Sequence, residues 1–441
     1  MTTQGSHSYR NANMLLFASL TVNIGFGLLA IFITLLADEI NLTPIEIGII
    51  ISIFMVSRAI AAGIVPGISD RIGRRRILLV FLILYAISTA LLGMARDGWT
   101  LFFLRIIEGA AAGAVFPTAE ALLVDSVPIP ERGAWMGKYF TTFSLGFIIG
   151  PAFGGILFTI GTDFLGFDVL TAFIIPFLAT GSLGAVSTLS IILFVRDVPH
   201  ELPSQPVTEK LSPGSLRTEY LKSFLLIGVL SGFGIGLVIP IFALHMEHQF
   251  ALTEGNIGFV FTISGAFGLV VNYPAGRVSD RLRNRMSLVT FGMMLTGFAF
   301  IGVAISVSLL AVIMFFIVRQ MSFQAYIPAY RAFQADKIPI QVRGQVMGRI
   351  QSAFNVGAVF GPLVGAWIYE LFVTNLLTIP FLNYNFFGGG VPFIVAGIFG
   401  FFQMIIALSV LQKERHKMPS AGTHSSPAST PTFVYSEGPE A

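Results

Sequence analysis

Residues Arg105-Ile106-Ile107-Glu108-Gly109 set two opposite charges three positions apart in an otherwise apolar run, followed by Ala110, Ala111, Ala112 and Gly113. On a helix, residues at that spacing share a face, so Arg105 and Glu108 can pair. A carboxylate so placed can take up and release a proton, with burial and the arginine pulling its proton affinity in opposite senses. It can equally be one half of a static ion pair, and the residues leave both open. Glu108 is the only carboxylate deep inside any apolar run; Glu120, Asp38, Glu39, Glu247 and Glu370 stand near the ends of theirs. Arg58 and Arg319 are further embedded charges, accompanied by the polar residues Asn23, Gln320, Gln324, Tyr326, Asn272, Tyr273, Gln351 and Asn355. Each of these polar residues serves either a ligand or interhelical bonding.

Enzyme chemistry finds no footing. The chain has no cysteine, which removes disulfides, thiolate metal sites and a Cys nucleophile. There is no nucleotide-binding glycine loop after a strand and no nucleophile elbow. The six histidines form no ligand cluster, and His245 and His248 around Glu247 read as a solvated loop. No metal and no cofactor is expected.

The elements that must position these residues are set by composition. Charged residues make up 11% of the chain and the mean hydropathy is +0.81, whereas soluble domains average about 25% charged. A bilayer-spanning helix needs about 20 mainly apolar residues. Such runs fall at about 14–36, 46–68, 77–95, 99–123, 135–160 and 169–195, then at about 221–244, 256–278, 287–307, 309–333, 346–371 and 390–411. The sequence therefore predicts twelve transmembrane helices in an all-α integral membrane protein. The net charge of +3 does not point to nucleic acid, because the basic residues sit in short loops between apolar runs. Loops after even-numbered spans hold Arg71, Arg74, Arg75, Arg76, Arg132, Arg281, Arg283, Arg285, Lys337 and Arg343, while the opposite loops hold only Arg96. By the positive-inside rule both termini lie in the cytoplasm of a plasma-membrane protein.

Along the chain the expected organisation is a disordered segment 1–12, a six-helix bundle 13–195 and a polar linker 196–220. A second six-helix bundle 221–415 and a disordered Ser/Thr/Pro-rich tail 416–441 follow. The bundles repeat one another. Thr43, Ile47, Gly48, Asp70 and Arg71 recur 210 residues on as Thr253, Ile257, Gly258, Asp280 and Arg281. Pro117, Asp125, Pro128, Arg132, Gly133, Met136, Gly137, Gly150 and Pro151 recur at 211 as Pro328, Asp336, Pro339, Arg343, Gly344, Met347, Gly348, Gly361 and Pro362. Parallel repeats of this kind are related by an axis along the membrane normal. Thr43-Pro44-Ile45-Glu46 reads as a capping box, and Thr253-Glu254-Gly255-Asn256 as a weaker counterpart. Arg319 matches Arg105 with a three-residue gap and Glu108 without one.

Between spans two and three stands Gly67-Ile68-Ser69-Asp70-Arg71-Ile72-Gly73-Arg74-Arg75-Arg76, and between spans eight and nine Gly276-Arg277-Val278-Ser279-Asp280-Arg281-Leu282-Arg283-Asn284-Arg285. Both resemble the G-x-x-x-D-R-x-G-R-R loop of the major facilitator superfamily, and the resemblance covers nearly the whole chain. Pro66 stands where the leading Gly of the first copy belongs, and Arg283 replaces the inner Gly of the second. The resemblance implies two six-helix bundles related by a pseudo-two-fold axis, and a cytoplasmic latch made by Asp70, Arg71, Arg74, Arg75, Asp280 and Arg281. In that latch Asp70 meets the start of span eleven near Gly344, and Asp280 the start of span five near Gly133. The alternative is that the arginines only fix topology.

Span five carries Gly146, Gly150, Pro151, Gly154 and Gly155, a pattern resembling the motif of proton-coupled drug antiporters in the same superfamily. Span eleven repeats it with Gly357, Gly361, Pro362 and Gly365, as helix packing common to both halves would require. Arg105 to Gly109 resembles the superfamily's R-x-x-q-G pattern. The fold implied has spans one, four, seven and ten lining a cavity, which makes Asn23, Arg105, Glu108, Arg319, Gln320 and Gln324 candidate substrate contacts; Arg58 of span two and Asn355 of span eleven are further embedded candidates, and Glu108 with Arg105 is the candidate proton carrier.

The expected function is secondary active transport by alternating access: proton-coupled efflux of small amphipathic organic compounds, as in the multidrug branch. Uptake or exchange of a polar or anionic metabolite is the alternative, using the three intramembrane arginines. A non-transporting membrane sensor is a remote third. The partners expected are a small-molecule substrate, protons and the lipid bilayer, with no nucleic acid, for a chain acting as a monomer.

Overall fold

The computed structural model describes residues 3–196, 220–282, 284–339, 342–380 and 383–417. Twelve helices in them are long and apolar enough to cross a membrane. Spans one to six are Tyr9–Glu39, Pro44–Ile72, Arg74–Leu92, Gly98–Asp125, Ile129–Phe164 and Val169–Phe194. Spans seven to twelve are Leu221–Phe250, Glu254–Ser279, Met286–Ile305, Leu309–Lys337, Gln345–Phe372 and Gly388–Glu414. Of the linker expected at 196–220 only Arg196 and Tyr220 are described, and residues 197–219 and the tail 418–441 lie outside the described residues.

Caps fix where the helices begin. Thr43 and Glu46 form the expected capping box, with Pro44 in the first turn. Asp97 starts span four by accepting from the Thr100 amide at 2.9 Å. Thr253 makes no side-chain cap. Between spans two and three the chain turns at Gly73, whose φ of 110° suits only glycine without strain. Asn41 and Ala251, 210 apart, both take left-handed backbone, so the repeat extends to the turns.

Two elements differ from the sequence reading. Residues 9–12 are anchored rather than loose: Tyr9 stacks on Trp135 and donates to Glu131 at 2.7 Å, and the Asn11 side chain bonds both backbone groups of Arg196. Leu376–Ile379 and Tyr384–Phe387 form a two-stranded antiparallel hairpin between spans eleven and twelve. The β-branched and aromatic residues there favour extended backbone. Apart from that hairpin the described residues are all-α.

Glycines set the closest helix contacts. A Cβ on Gly150 would overlap the Ile24 carbonyl, and one on Gly154 would lie 2.7 Å from Leu28, so span five lies directly on span one. Gly357, Gly361 and Gly365 lay span eleven on span seven through Val229, Phe233 and Leu237 in the same manner.

The halves meet toward the end opposite the arginine loops. Gly48 of span two abuts Pro362 and Ala366 of span eleven, and Gly258 of span eight abuts Pro151 of span five. Hydroxyls repeat this symmetry: Ser52 donates to the Val359 carbonyl and Thr262 to the Ile148 carbonyl, both at 2.8 Å. Thr262 also accepts from the Ala152 amide at 2.9 Å. It thereby enters the helical ladder of span five beside Pro151, a recognised cause of a kink. At the arginine-loop end, Gly63, Gly67, Gly133, Gly137, Gly276 and Gly348 have open space where a side chain would stand. The described hydrogen bonds between the halves all lie in the opposite half of the bundle, so the cleft between them opens toward the basic end.

Candidate functional site

Span four approaches span two through Gly109, where a Cβ would overlap the Ser57 hydroxyl, and Gly113, where it would overlap the Arg58 carbonyl. That approach encloses the embedded pair. Arg105 and Glu108 are bonded at 2.6 Å, and Glu108 is 0% exposed. The Arg105 guanidinium also lies 4.0 Å from the ring centroid of Phe54 on span two. The two carboxylate oxygens are unlike: Oε2 accepts from Arg105, while Oε1 is buried with no partner among the described residues. The arrangement can hold a proton on one oxygen while the other keeps its donor.

Arg58 is half-buried, with its guanidinium 5.3 Å from the Phe26 ring and 5.5 Å from that of Phe116. Arg319 is buried in the second half, donates to Gln320 and lies between the rings of Phe300 and Phe323. Gln324 packs against Gly268 of span eight, and Asn355 accepts from Gln351 at 3.2 Å. Asn23 is not brought to the cleft: it is fully buried against Gly146, donating to the Ser19 carbonyl. The candidates thus divide between two half-specific clusters rather than forming one ring.

At the basic end Arg74 bridges Asp70 at 3.0 Å and Asp125 at 2.5 Å, and in the second half Arg285 reaches Asp336 at 3.3 Å. Asp70 is therefore held by Arg74 of its own half. Arg75 donates to the Ile192 carbonyl, and Arg71 and Arg281 are exposed. The Asp280 side chain and Arg283 lie outside the described residues.

Sequence reasoning missed the opposite end. His248 stands on a helix that continues to Phe250, not in the solvated loop its sequence suggests. There it joins Asp38 of span one at 3.1 Å and Tyr369 of span eleven at 3.1 Å. Glu370 accepts from the Ile45 amide at 3.0 Å, tying span eleven to span two. His245 is buried among Phe250, Phe387 and Phe393. Among the described residues no cluster suits a metal. Ser52 and Thr262 were also missed, although their 210-residue spacing belonged to the repeat already visible.

Residues 15–225 and 224–434 each match the family model described as Major Facilitator Superfamily. The chain is 24% identical over 352 residues to Multidrug resistance protein 1 of Bacillus subtilis (strain 168), covering 79% of this chain and 87% of the relative. The solved structure of a bacterial homolog to the human lysosomal transporter Spinster, inward-facing and unoccupied, matches with a TM-score of 0.76 at 14% identity, covering 93% of this chain and 98% of that one. The human organic anion transporter MFSD10 matches with a TM-score of 0.61 at 20% identity, covering 91% and 99%. Two copies of one six-helix unit, facing each other across a cleft and each matching the same family model, make the chain a multi-pass membrane transporter of the Major Facilitator Superfamily rather than an enzyme.

Proposed function

We propose that this transporter exports small amphipathic organic compounds in exchange for protons, with Glu108 as the proton carrier. The observation that carries the reading is the buried Glu108 carboxylate, bonded through one oxygen to Arg105 and without a partner at the other among the described residues. The Bacillus relative's name supports the substrate class. A proton on Glu108 weakens the ion pair, and Arg105 is left with the Phe54 face. Span four then holds span two differently in its protonated and deprotonated forms, which is the differential a driving ion must supply.

The arginine distribution supports a cytoplasmic basic end, so the cleft described above faces the cytoplasm. On closing that end, Asp70 exchanges Arg74 for the start of span eleven at Gly344, and Asp280 meets span five at Gly133. Protons then enter from outside while substrate leaves.

The reading is tested in a host lacking its own efflux pumps, with ethidium as the probe. Cells carrying the transporter should accumulate several-fold less ethidium than empty cells, and a proton uncoupler or Glu108→Gln should erase the difference. Export that survives both treatments rejects proton coupling. Exchange of an anionic metabolite is the second reading, favoured by Arg58, which is half-buried against the Phe26 and Phe116 rings with no acceptor among the described residues. It requires that organic acids, and not ethidium, be carried and that Arg58→Gln abolish their transport.

A further inference from the structure

Arg319, the embedded charge of the second half, has no counter-charge among the described residues. Spans four and ten start at Gly98 and Leu309 and carry Pro117 and Pro328, all at one offset of 211. The structure thus settles their register without a gap: Arg319 stands where Glu108 stands, and Phe316 where Arg105 stands. The first half supplies an opposite charge one turn before its embedded residue. The second half supplies a ring, stacked on Phe242 at 3.8 Å.

Arg319 is 6% exposed. Its Nε is buried without a partner, and its donors reach only the neutral Gln320 amide among the described residues. The rings of Phe300 and Phe323, at 5.3 and 5.1 Å, soften the desolvation but carry no net charge. A charge at this depth is costly unless paired. Beside Arg319 lies a cavity that Ser231, Thr296, Tyr326 and Gln403 also line. Ser231 donates to Gln403 Oε1 at 2.9 Å, which occupies the acceptor of that amide and leaves its N–H groups to the cavity. The space is roughly that of one or two waters, too small for an amphipathic organic molecule. Thr296 donates to Ser322 at 3.3 Å, so the donors left to the cavity are the Gln403 amide and the Tyr326 hydroxyl beside the one cation.

We propose that this cavity binds a small monoanion, paired with Arg319 and hydrogen-bonded by the Gln403 amide. The anion is either a free halide or the acid group of a carried compound. The site belongs to the second half and is independent of proton uptake at Glu108, so it stands or falls separately from the export reading.

The test uses the purified full chain in detergent, unfolded thermally in sodium chloride, acetate or benzoate against sodium gluconate at equal ionic strength. Chloride or acetate should raise the midpoint saturably, and Arg319→Gln should lower the apparent affinity at least tenfold. Gln403→Glu places a carboxylate of nearly the same shape in the cavity, so that variant should fold and lose its anion response. Should Arg319→Gln fail to fold, Gln403→Glu decides alone. A response to chloride only assigns a halide, and a response extending to acetate and benzoate assigns the acid group of a carried compound. No difference from gluconate in the wild type, or variants that respond as the wild type does, overturns the site.

Discussion

Arg105 and Glu108 pair because three-residue spacing on a helix brings them together, whatever surrounds the helix. Their energetics are less simple than their geometry. Removing one partner leaves a buried unpaired charge and costs about 3–5 kcal/mol, whereas removing both together costs far less. Arg105→Gln should therefore lower the thermal unfolding midpoint strongly, and adding Glu108→Gln should restore most of it; additive losses would show that the two charges do not depend on each other. The placement of Asn23 and His245 is not legible from spacing in this way. Whether a polar residue in an apolar helix meets a cleft or a neighbouring helix depends on where that neighbour lies, and Asn23 is enclosed because Gly146 lets span five approach it. His245 is covered by Phe387 and Phe393, more than 140 residues away in sequence.

Spans were legible as elements because length and hydropathy alone demand them, and their first turns because capping residues are local. The glycine motif of span five carried two readings in sequence. The structure gives its glycines, and those of span eleven, the same employment against spans one and seven. Gly150→Val and Gly361→Val should each abolish folded protein, measured as monodisperse yield in detergent, because the new side chain meets backbone that cannot yield. Thr262 is the asymmetric detail, since it bonds both Ile148 and Ala152 whereas Ser52 has only Val359 described. Thr262→Val removes two hydrogen bonds at a nearly constant volume and should cost about 1–3 kcal/mol. Ser52→Ala should cost less, and unfolding measurements that reverse the order would contradict the ladder insertion. The Asp97 cap has a pH signature: hydrogen bonds from Thr100 hold its carboxyl below the usual range. A depressed folded value gives stability above the unfolded pKa of about 3.9 that is lost as pH falls through the folded value. The midpoint difference between wild type and Asp97→Ala should accordingly be present at pH 6 and shrink toward pH 3.

The two halves were legible from the repeat, but their relative pose was not, because no sequence offset says which end of a cleft is closed. That pose rests on contacts such as Asp38–His248 and Glu370–Ile45, which join distant segments at the end away from the arginines. Weakening these contacts in Asp38→Asn/Glu370→Gln should shift the population toward the conformer closed at the basic end. With no cysteine in the chain, spin labels at Lys138→Cys and Arg349→Cys, exposed and 211 apart, report that end directly. Their distance should shorten in the double variant, and an unchanged distribution would remove these contacts from the gate. The central claim is that proton flow through Glu108 drives export, and the most direct measurement follows proton and ethidium fluxes together in proteoliposomes under an imposed pH gradient. Wild-type vesicles should move ethidium against its gradient while protons move the opposite way, and Glu108→Gln vesicles should show neither driven flux; undiminished coupled flux in Glu108→Gln would contradict it.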